Sequence, residues 1–477
     1  MKVAGWKPQG LLSSFFLFLL VITGGCAVHR VDEQLEPPTT LPESYNDKGT
    51  VTPPDKWWLS FEEPQLNQLM DQLLQQNLDL RSAWARLRQT EALAVQANAS
   101  RLPEVTGTGV SSRNKQIFNG LEQTTNNFSL KAAANYEVDI WKKLSSTRRA
   151  AALDVLATRD DAEALAQTLT ASLAKTWFAI IEQRETLALL EEQLEVSRDF
   201  LKVVETRFGQ AQSSAVAVFQ QRQNLSSIEA QIPTAEAQLH VLEHQLAVLL
   251  GKAPREASAG DRADLPQLPD YPELGIPLAL LEQRPDIRAA RSRINAADHR
   301  VGVAIANRYP SLRLTLDGGF QASDIDDLFS NFVWGLTSNL TGPIFDAGNR
   351  KAEVDRRRAV LETALNDYEK VILEAVREVE DASIRENKQR EFLDRLDEQQ
   401  KWSERALEAA RSRYLRGVGD YLTVLTELSS LQRIQRTHIN ARRTLLDFRI
   451  DLYKAIGGKW STDLTPSEPR TAIAGAE

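Results

Sequence analysis

The sequence contains two copies of one long unit. Asp79–Ala83 (DLRSA) matches Asp286–Ala290 (DIRAA), and Gly251 matches Gly457, so corresponding residues lie about 206 positions apart. A period of this length indicates a duplicated, domain-sized unit, because solenoid repeats are much shorter. The segment between the copies, 252–272, is rich in proline, glycine, aspartate and alanine and predicts a surface linker. The chain is therefore expected to fold as two related halves.

Within each copy, the hydrophobic pattern changes in the same order. An amphipathic helix, predicted over 66–99 and again over 278–306, precedes two stretches in which apolar and polar residues alternate. A period of two is typical of strands with one apolar face. The alternation is clearest from Phe332 to Leu340 and, in the first copy, from Phe128 to Tyr136. The polar segment between the two strands of each pair predicts a water-facing loop.

A heptad pattern follows the strands. It runs from Leu187 to Phe208 and is preserved in the second copy. A short break, 210–214 or 416–420, separates it from another helix, which predicts an antiparallel helical hairpin. The first of these helices, predicted from 145 to 208, would be about 95 Å long at 1.5 Å per residue. Pro233 lies inside the following helix, where we expect a bend and no chain reversal.

The only cysteine of the chain follows an apolar N-terminal run. Lys2 and Lys7 precede the run 11–22, and two glycines precede Cys26. These are the three parts of a secretory signal peptide, and the run is too short for a transmembrane helix. The pattern predicts a bacterial lipoprotein with covalent lipid on Cys26 and no other cofactor. Ala27 favours sorting to the outer membrane, and one cysteine excludes an intramolecular disulfide.

These features divide the chain into consecutive segments. The predicted divisions are a signal peptide at 1–25, an N-terminal extended segment at 26–60, the first structural repeat at 61–251, a linker at 252–272, the second structural repeat at 273–458 and a C-terminal tail at 459–477.

The strands bear on how the chain would cross a membrane. No later segment approaches twenty consecutive apolar residues, so any crossing would have to use strands. Four strands per chain are too few, because the smallest transmembrane barrels use about eight. Open edges would leave backbone groups unpaired in lipid, so several chains must combine their strands. The strands alone do not choose the number of chains. The aromatic residues predicted to lie on membrane strands are Phe128, Tyr136, Phe332 and Trp334.

Separated motifs carry a resemblance to a known family. They are Trp57–Trp58, Gln283–Ala290 (QRPDIRAA), Val301–Ala304 (VGVA), Tyr309–Leu312 (YPSL) and Gly342–Gly348 (GPIFDAG). From Cys26 to Gly458 the chain resembles the TolC-like outer membrane factors, and among them the NodT-type, OprM-like efflux lipoproteins. The resemblance implies a fold that is mainly α with β: a homotrimer with a twelve-stranded transmembrane β-barrel and a periplasmic α-helical barrel. It also implies a passive exit duct for drugs or other small toxic compounds, coupled through a periplasmic adaptor to an inner-membrane pump.

The hairpin turns are the predicted functional ends, because they would lie farthest from the strands. The candidate adaptor-docking residues are Gln210, Ala211, Ser213, Arg416 and Val418. In the resembling family, one or two aspartates after the second turn form a charged constriction. Threonines stand at those positions here, so a neighbouring acid could supply the ring or could be an ordinary solvated charge. The candidate gate residues are Tyr414, Gly417, Gly419, Asp420, Thr423, Thr426 and Glu427.

The two turns differ in one residue that matters for geometry. Ala211 stands where the second copy has Gly417. Because glycine adopts left-handed backbone conformations without steric cost, the first turn is predicted to be less sharp.

Competing interpretations rest on fewer residues. His240–His244 fits the H-x-x-E-H pattern of some zinc peptidases, but heptad leucines flank it and the second copy has Leu446 and Ile450 at the histidine positions. No catalytic set accompanies it, so we expect no enzyme. A net charge of −8 argues against a nucleic-acid partner. Trp57–Trp58 could form a membrane-interface belt or could fasten the N-terminal segment to the helices.

Two alternatives from other classes fit part of the sequence. A structural coiled-coil lipoprotein without channel activity would explain the heptads and the anchor, but not the duplicated strand pairs. A periplasmic adaptor also contains helical hairpins, and the strand pairs and the tryptophan-rich start weigh against it.

Overall fold

A computed structural model describes residues 29–30, 41–45, 51–52, 54–118, 121–256 and 258–466. Cys26, the predicted signal peptide and parts of the two terminal segments lie outside the described residues. The chain forms two compact units. The strand unit comprises Met1–Pro38, Arg86–Arg159 and Ala289–Glu369, and the hairpin unit comprises Thr39–Ala85, Asp160–Arg288 and Lys370–Glu477.

The elements occur in the same order in both copies. Those of the first copy are α1 (Pro64–Gln76), α2 (Leu78–Ala99), β1 (Glu104–Phe118), β2 (Leu121–Val138), α3 (Lys143–Gly209) and α4 (Ala215–Leu249). Those of the second are α5 (Leu280–Gln283), α6 (Pro285–Ala306), β3 (Ser311–Ala322), β4 (Phe332–Thr341), α7 (Asn349–Leu415) and α8 (Tyr421–Ile456). This confirms a mainly α protein with a duplicated unit of helix, strand pair and long helical hairpin.

The first helix of each copy is interrupted, so the predicted continuous helices over 66–99 and 278–306 are wrong. Asn77 separates α1 from α2; its Oδ1 accepts a hydrogen bond from the Leu80 N–H at 2.9 Å, and its Nδ2 donates to the Leu249 carbonyl at 2.8 Å. In the second copy, Pro285 starts α6 and holds Arg284 in an extended conformation. A second helix therefore begins at the corresponding position in both copies.

The four strands form one antiparallel sheet in the order β1-β2-β3-β4. The pairings include Glu104 with Asn135, Phe128 with Ala322, and Ser311 with Thr341. Strands β1 and β2 pair up to Phe118 and Leu121, so the polar segment between them is part of a long hairpin and the predicted loop there is wrong. Between β3 and β4, a 3-10 helix occupies Ile325–Ser330.

The long helices α3 and α7 each contain 67 residues, which corresponds to about 100 Å. An aspartate caps the start of each. Asp139 accepts hydrogen bonds from the Leu144 and Ser145 N–H groups at 2.8 Å, and Asp346 accepts from Gly348 and Arg350 at 3.0 and 3.1 Å. Carboxylates at helix N-termini satisfy unpaired N–H groups and interact favourably with the helix dipole. Helix α4 continues through Pro233, which confirms that the chain does not reverse there. None of the helices in the described ranges is both long and apolar enough to span a bilayer.

An aromatic cluster forms part of the core of the hairpin unit. Trp57 stacks on Tyr453 with ring centroids 5.7 Å apart, and Trp58 meets Trp460 edge to face at 4.9 Å. Phe61 packs against Phe178 at 5.1 Å. All of these rings are buried. The packing interpretation of Trp57–Trp58 is therefore confirmed.

The segment between the copies, predicted to be a surface linker, is exposed over about half of its described length and also contacts the core. Arg449 is fully buried, forms a bidentate pair with Glu386, and also donates to the Pro269 and Asp270 carbonyls at 2.6 and 2.7 Å. Ala259 and Leu265 are buried as well. The segment therefore lies at the surface, and some of its backbone carbonyls also satisfy donors of the core.

A group of charged side chains lies between α3 and α8 in the hairpin unit. Asp447 pairs with Arg443, which also approaches Glu182 at 3.9 Å. Burial raises the pKa of Asp447 to about 6, although the Arg443 and Lys175 charges oppose the shift. Burial also raises the pKa of Glu182. Desolvation therefore outweighs ion pairing here.

The raised pKa of Asp447 predicts a pH-dependent stability. Because the folded state binds this proton more tightly than the unfolded chain, its stabilising contribution is complete below about pH 4 and is lost as the pH rises through about 6. Asp447→Asn should therefore raise the free energy of unfolding at pH 7.5 by at most about 3 kcal/mol, seen as a higher thermal unfolding midpoint, and should have little effect at pH 4. Glu398→Gln, at an exposed carboxylate of the hairpin unit that pairs with Arg395 and does not belong to this group, is the control. An equal effect of Asp447→Asn at both pH values would contradict the prediction.

Candidate functional site: the hairpin turns and the apolar sheet face

The two hairpin turns have the same backbone geometry. In the first, Ala211 has a φ of 55°, and the Gln212 N–H donates to the Arg207 carbonyl at 2.8 Å. In the second, Gly417 has a φ of 77°, and the Val418 N–H donates to the Arg413 carbonyl at 3.1 Å. Both are Schellman motifs, which end a helix with one residue in the left-handed region. The prediction of a less sharp first turn is therefore wrong, because Ala211 adopts the strained conformation.

Gly419 lies close to the end of α7, where the chain leaves the second turn. A Cβ atom at this position would lie 3.1 Å from the Arg413 Cβ and 3.2 Å from the Tyr414 backbone nitrogen. A side chain at Gly419 would therefore require α7 or the turn to shift by a few tenths of an ångström.

The candidate gate residues of α8 lie on its exposed side. Asp420 precedes the helix and is exposed, and its side chain makes no capping hydrogen bond. Thr423 and Glu427 follow at spacings of three and four residues, so the three share one stripe. Thr423 is exposed and Glu427 is half-buried. Thr426 is exposed and donates to the Leu422 carbonyl at 2.9 Å. This stripe presents two carboxylates and a hydroxyl group to the surroundings.

Tyr414 is a core residue of the turns. Its buried ring packs with Tyr421 at 5.3 Å and lies under the Arg207 guanidinium at 4.8 Å. Its hydroxyl group is 3.2 Å from the Ser213 Oγ. Tyr414 therefore holds the two turns together within one chain and does not belong to the exposed stripe.

Sequence reasoning missed a second connection between the hairpins. The Tyr421 hydroxyl donates to the Gln221 Oε1 at 2.7 Å, and the Gln221 Nε2 donates to the Ser197 carbonyl at 2.6 Å. All three side chains are buried, and burial raises the pKa of Tyr421, with a further contribution from Tyr414. The sequence feature that could have predicted this contact is a glutamine, Gln221, at a heptad core position. A polar side chain at a buried position is expected to be hydrogen-bonded.

The surface around the turns is unusually apolar for exposed helix ends. The docking candidates Gln210, Ala211, Arg416 and Val418 are exposed, and Ser213 is half-buried. Large apolar side chains surround them. The exposed ones are Phe208, Val216, Phe219, Leu415, Val418 and Leu422. Several exposed apolar side chains at two neighbouring turns are typical of interaction sites.

The sheet in the strand unit has one apolar face that is open to the surroundings. Cross-strand pairs place Leu316 opposite Leu336 and Phe320 opposite Phe332, and Trp334 on the same face is 71% exposed. Phe128 and Tyr136 of β2 also belong to this face and are half-exposed. The opposite face is polar and carries Lys131, Glu137, Arg313 and Asp317 among its residues.

The H-x-x-E-H stretch lies on α4. His240 contacts Glu243 at 3.2 Å, and Glu243 also pairs with Arg184 at 3.3 Å. In the described ranges, no group of three or more His, Cys, Asp or Glu side chains is arranged to hold a metal ion.

Comparison with known proteins identifies the family to which the chain belongs. Residues 69–252 and 276–458 match the model of the outer membrane efflux protein family. The chain belongs to this family. It is similar to the pyoverdine export outer membrane protein OpmQ of Pseudomonas aeruginosa, with 33% identity over 86% of this chain and 88% of OpmQ. It is also similar to the solvent efflux pump outer membrane protein SrpC of Pseudomonas putida, with 28% identity over 93% of this chain and 98% of SrpC.

Comparison with solved structures agrees with the family match. The solved outer-membrane channel OprN superimposes with a TM-score of 0.87 and 26% identity, over 91% of this chain and all of OprN. This outer membrane efflux protein is therefore an efflux channel of the bacterial outer membrane. The membership rules out the alternatives of a structural lipoprotein without channel activity and of an adaptor.

The matching turns of the efflux protein predict opposite effects of exchanging glycine and alanine. Ala211→Gly should raise the unfolding midpoint, because it removes a left-handed alanine that costs about 1–2 kcal/mol, less the greater freedom of glycine in the unfolded chain. Gly417→Ala should lower the midpoint, because it places an alanine in the left-handed conformation and lowers the free energy of unfolding by about 1 kcal/mol. Thermal unfolding in detergent, followed by circular dichroism, measures both. Shifts of the same sign would show that the turns do not share this geometry.

Proposed function

We propose that this efflux protein is the passive exit duct of a tripartite efflux system and works as a homotrimer. The observation that carries the proposal is the exposed apolar face of an incomplete sheet. Within the described residues, the outer edges of β1 and β4 pair with no other strand. A sheet in lipid must satisfy these edges, and three chains would join twelve strands into one closed barrel.

The faces of the sheet support this assignment. In such a barrel, the face with Trp334 and Leu336 contacts lipid, and the face with Lys131 and Arg313 lines a water-filled passage. The proposed duct performs no covalent chemistry and needs no cofactor. Its one covalent addition is the lipid on Cys26, which anchors the chain in the outer membrane.

The partners are assigned to the hairpin turns. The apolar surface around Phe219 and Val418 suits a periplasmic adaptor, which would connect the duct to an inner-membrane pump. Asp420 and Glu427 form the proposed acidic constriction, with Thr423 between them on the same stripe. The duct itself supplies no energy, so the pump drives export.

The substrates are proposed to be drugs or other small toxic compounds. Solvent efflux in SrpC and toluene efflux in TtgI of Pseudomonas putida support this class. A second candidate is a secreted compound related to pyoverdine. OpmQ of Pseudomonas aeruginosa and OpmQ of Pseudomonas putida, at 33% and 32% identity, are both named for pyoverdine export.

Neighbouring residues of β4 test the channel. The purified protein should have the mass of three chains in detergent and should form conducting pores in a planar bilayer. Leu336→Lys places a charge on the proposed lipid face, at a cost of about 2–4 kcal/mol near the bilayer centre, and should abolish membrane insertion and conductance. Thr337→Lys faces the proposed passage and should preserve both while shifting selectivity toward anions. A monomer without conductance, or equal tolerance of the two lysines, would overturn the proposal.

The buried contact between Tyr421 and Gln221 is expected to hold the duct closed. Tyr421→Phe removes a hydrogen bond worth about 1 kcal/mol between the two hairpins of each chain, so the open probability should rise roughly fivefold for each chain whose contact must break on opening. Single-channel recording measures this directly. Tyr368→Phe, at a buried tyrosine of the strand unit, is the control and should behave as the wild type. An unchanged open probability in Tyr421→Phe would mean that this contact plays no part in closure.

A further inference from the structure

Within the described residues, little covers two neighbouring apolar side chains that follow β4. Ile344 is fully exposed, and Phe345 is 88% exposed. They lie in the strand unit, between the end of β4 and the start of α7. Large apolar side chains with this exposure are typical of interaction sites, and the duplication indicates what covers them.

The matching side chains of the first copy are covered within the chain. Ile140 and Trp141 follow β2 and are half-buried. Trp141 stacks on Tyr309 with ring centroids 4.7 Å apart, and its indole donates to the Pro310 carbonyl at 2.8 Å. Tyr309 and Pro310 come directly before β3, the strand that pairs with β2. The aromatic residue after one strand therefore packs on the chain that enters the next strand.

The duplication contains both parts a second time, at opposite edges of the sheet. Strand β4 corresponds to β2 and β1 corresponds to β3, but β1 and β4 are the outermost of the four strands. Leu102 and Pro103 come directly before β1, as Tyr309 and Pro310 come before β3. Leu102 is 64% exposed. An exposed apolar residue therefore lies beside each edge of the sheet, at the same end.

The sequence supports joining these two edges in the register of β2 and β3. Asn135 lies opposite Thr315, and the Thr315 hydroxyl donates to the Asn135 Oδ1 at 2.9 Å. The matching residues are Asn339 of β4 and Thr108 of β1, and both are exposed. The repeated register therefore brings the same two residue types together.

The repeated register also preserves the two faces of the sheet. It places Leu336 opposite Ser111, which pairs with Phe128 of β2 and therefore lies on the same apolar face as Phe128. A shift by one residue would turn the apolar side chains of one strand to the polar face of the next. The faces and the Asn339–Thr108 pair thus select the same register.

We infer that the contact between two chains of the homotrimer repeats the contact between β2 and β3 within one chain. Phe345 packs on Leu102 and Pro103 of the partner subunit, and Asn339 lies opposite Thr108 of the partner subunit. The partner is a second copy of this chain, because its β1 edge carries the residues that match those covering Trp141. The inference rests on the proposed homotrimer and names the residues that join its chains.

The contact between chains lacks two interactions that the contact within a chain has. Phenylalanine at 345 has no indole N–H to donate, whereas Trp141 donates to a backbone carbonyl. Glu137 and Arg313, which approach to 3.5 Å on opposite strands, correspond to Thr341 and Thr106. The trimer is therefore expected to separate between chains before the sheet of each chain unfolds.

Disulfide crosslinking of the assembled full-length protein tests the register. Asn339→Cys combined with Thr108→Cys should give covalent dimers and trimers on a denaturing gel after oxidation. Asn339→Cys combined with Val110→Cys is the control, because it keeps the face but joins diagonal positions about 7–8 Å apart, beyond the reach of a disulfide. A crosslink within one chain is excluded, because β1 and β4 are three strand spacings apart, about 14 Å. The wild-type chain, with Cys26 alone, gives the background.

Conductance in a planar bilayer separates the possible failures. Crosslinks in the control pair alone, or equal crosslinking of both pairs, would overturn the register. A trimer that conducts while neither pair crosslinks would also overturn it and would leave the duct standing. A monomer without conductance would overturn the proposed function itself.

Substitutions at Phe345 test the apolar contact, with native mass spectrometry following the loss of trimer over time in detergent. Phe345→Ala should speed dissociation about tenfold or more, because it removes a buried aromatic side chain from every contact between chains. Phe345→Trp should slow dissociation, because its indole can donate to the carbonyl of Pro103 of the partner subunit as Trp141 does within one chain. Phe329→Ala is the matched control, since Phe329 is 68% exposed and packs on Phe320 of its own chain at 5.3 Å. Equal dissociation of Phe345→Ala and Phe329→Ala would overturn the contact.

Discussion

The unpaired backbone groups at the two edges of the sheet constrain the rest of the molecule. Each free N–H or C=O group would cost several kcal/mol in hydrocarbon, where no water replaces the missing partner. Within the described residues, no other element covers the apolar face formed by residues such as Leu316, Leu336 and Trp334. Exposure of such a face to water would be unfavourable. An apolar face and unpaired edges in one sheet are compatible only if other copies of the chain complete the sheet within a membrane.

The duplication preserves the chemistry that starts and ends the long helices. An aspartate caps each at its beginning, Asp139 in one copy and Asp346 in the other, and a Schellman motif ends each. Both helices consequently contain 67 residues. Equal helix lengths therefore accompany matching caps at both ends.

Patterns that repeat along the chain were predictable, and single contacts were not. The period of two in β4 and the heptads of α3 identified strands and helices, because one face of each element is apolar over many residues. The break at Asn77 depends on one side chain that bonds to Leu80 and Leu249. The segment between the copies is held by single arginines as well: Arg442 donates to the Leu265 carbonyl, and Arg449 donates to those of Pro269 and Asp270. The contact between Tyr421 and Gln221 joins residues about 200 positions apart, so no local pattern contains it.

The two copies diverge most clearly at the turns. Ser214 caps α4 by accepting from the Ala217 N–H, whereas Asp420, at the matching position before α8, makes no such bond. An N-cap contributes about 1 kcal/mol, so the second copy forgoes stability that the first retains. The first copy in turn places Ala211 in a conformation that Gly417 adopts without strain. A carboxylate released from capping is free to face ions or a partner. The missing cap leaves the Asp420 carboxylate exposed at the start of α8, which is what the proposed acidic constriction requires.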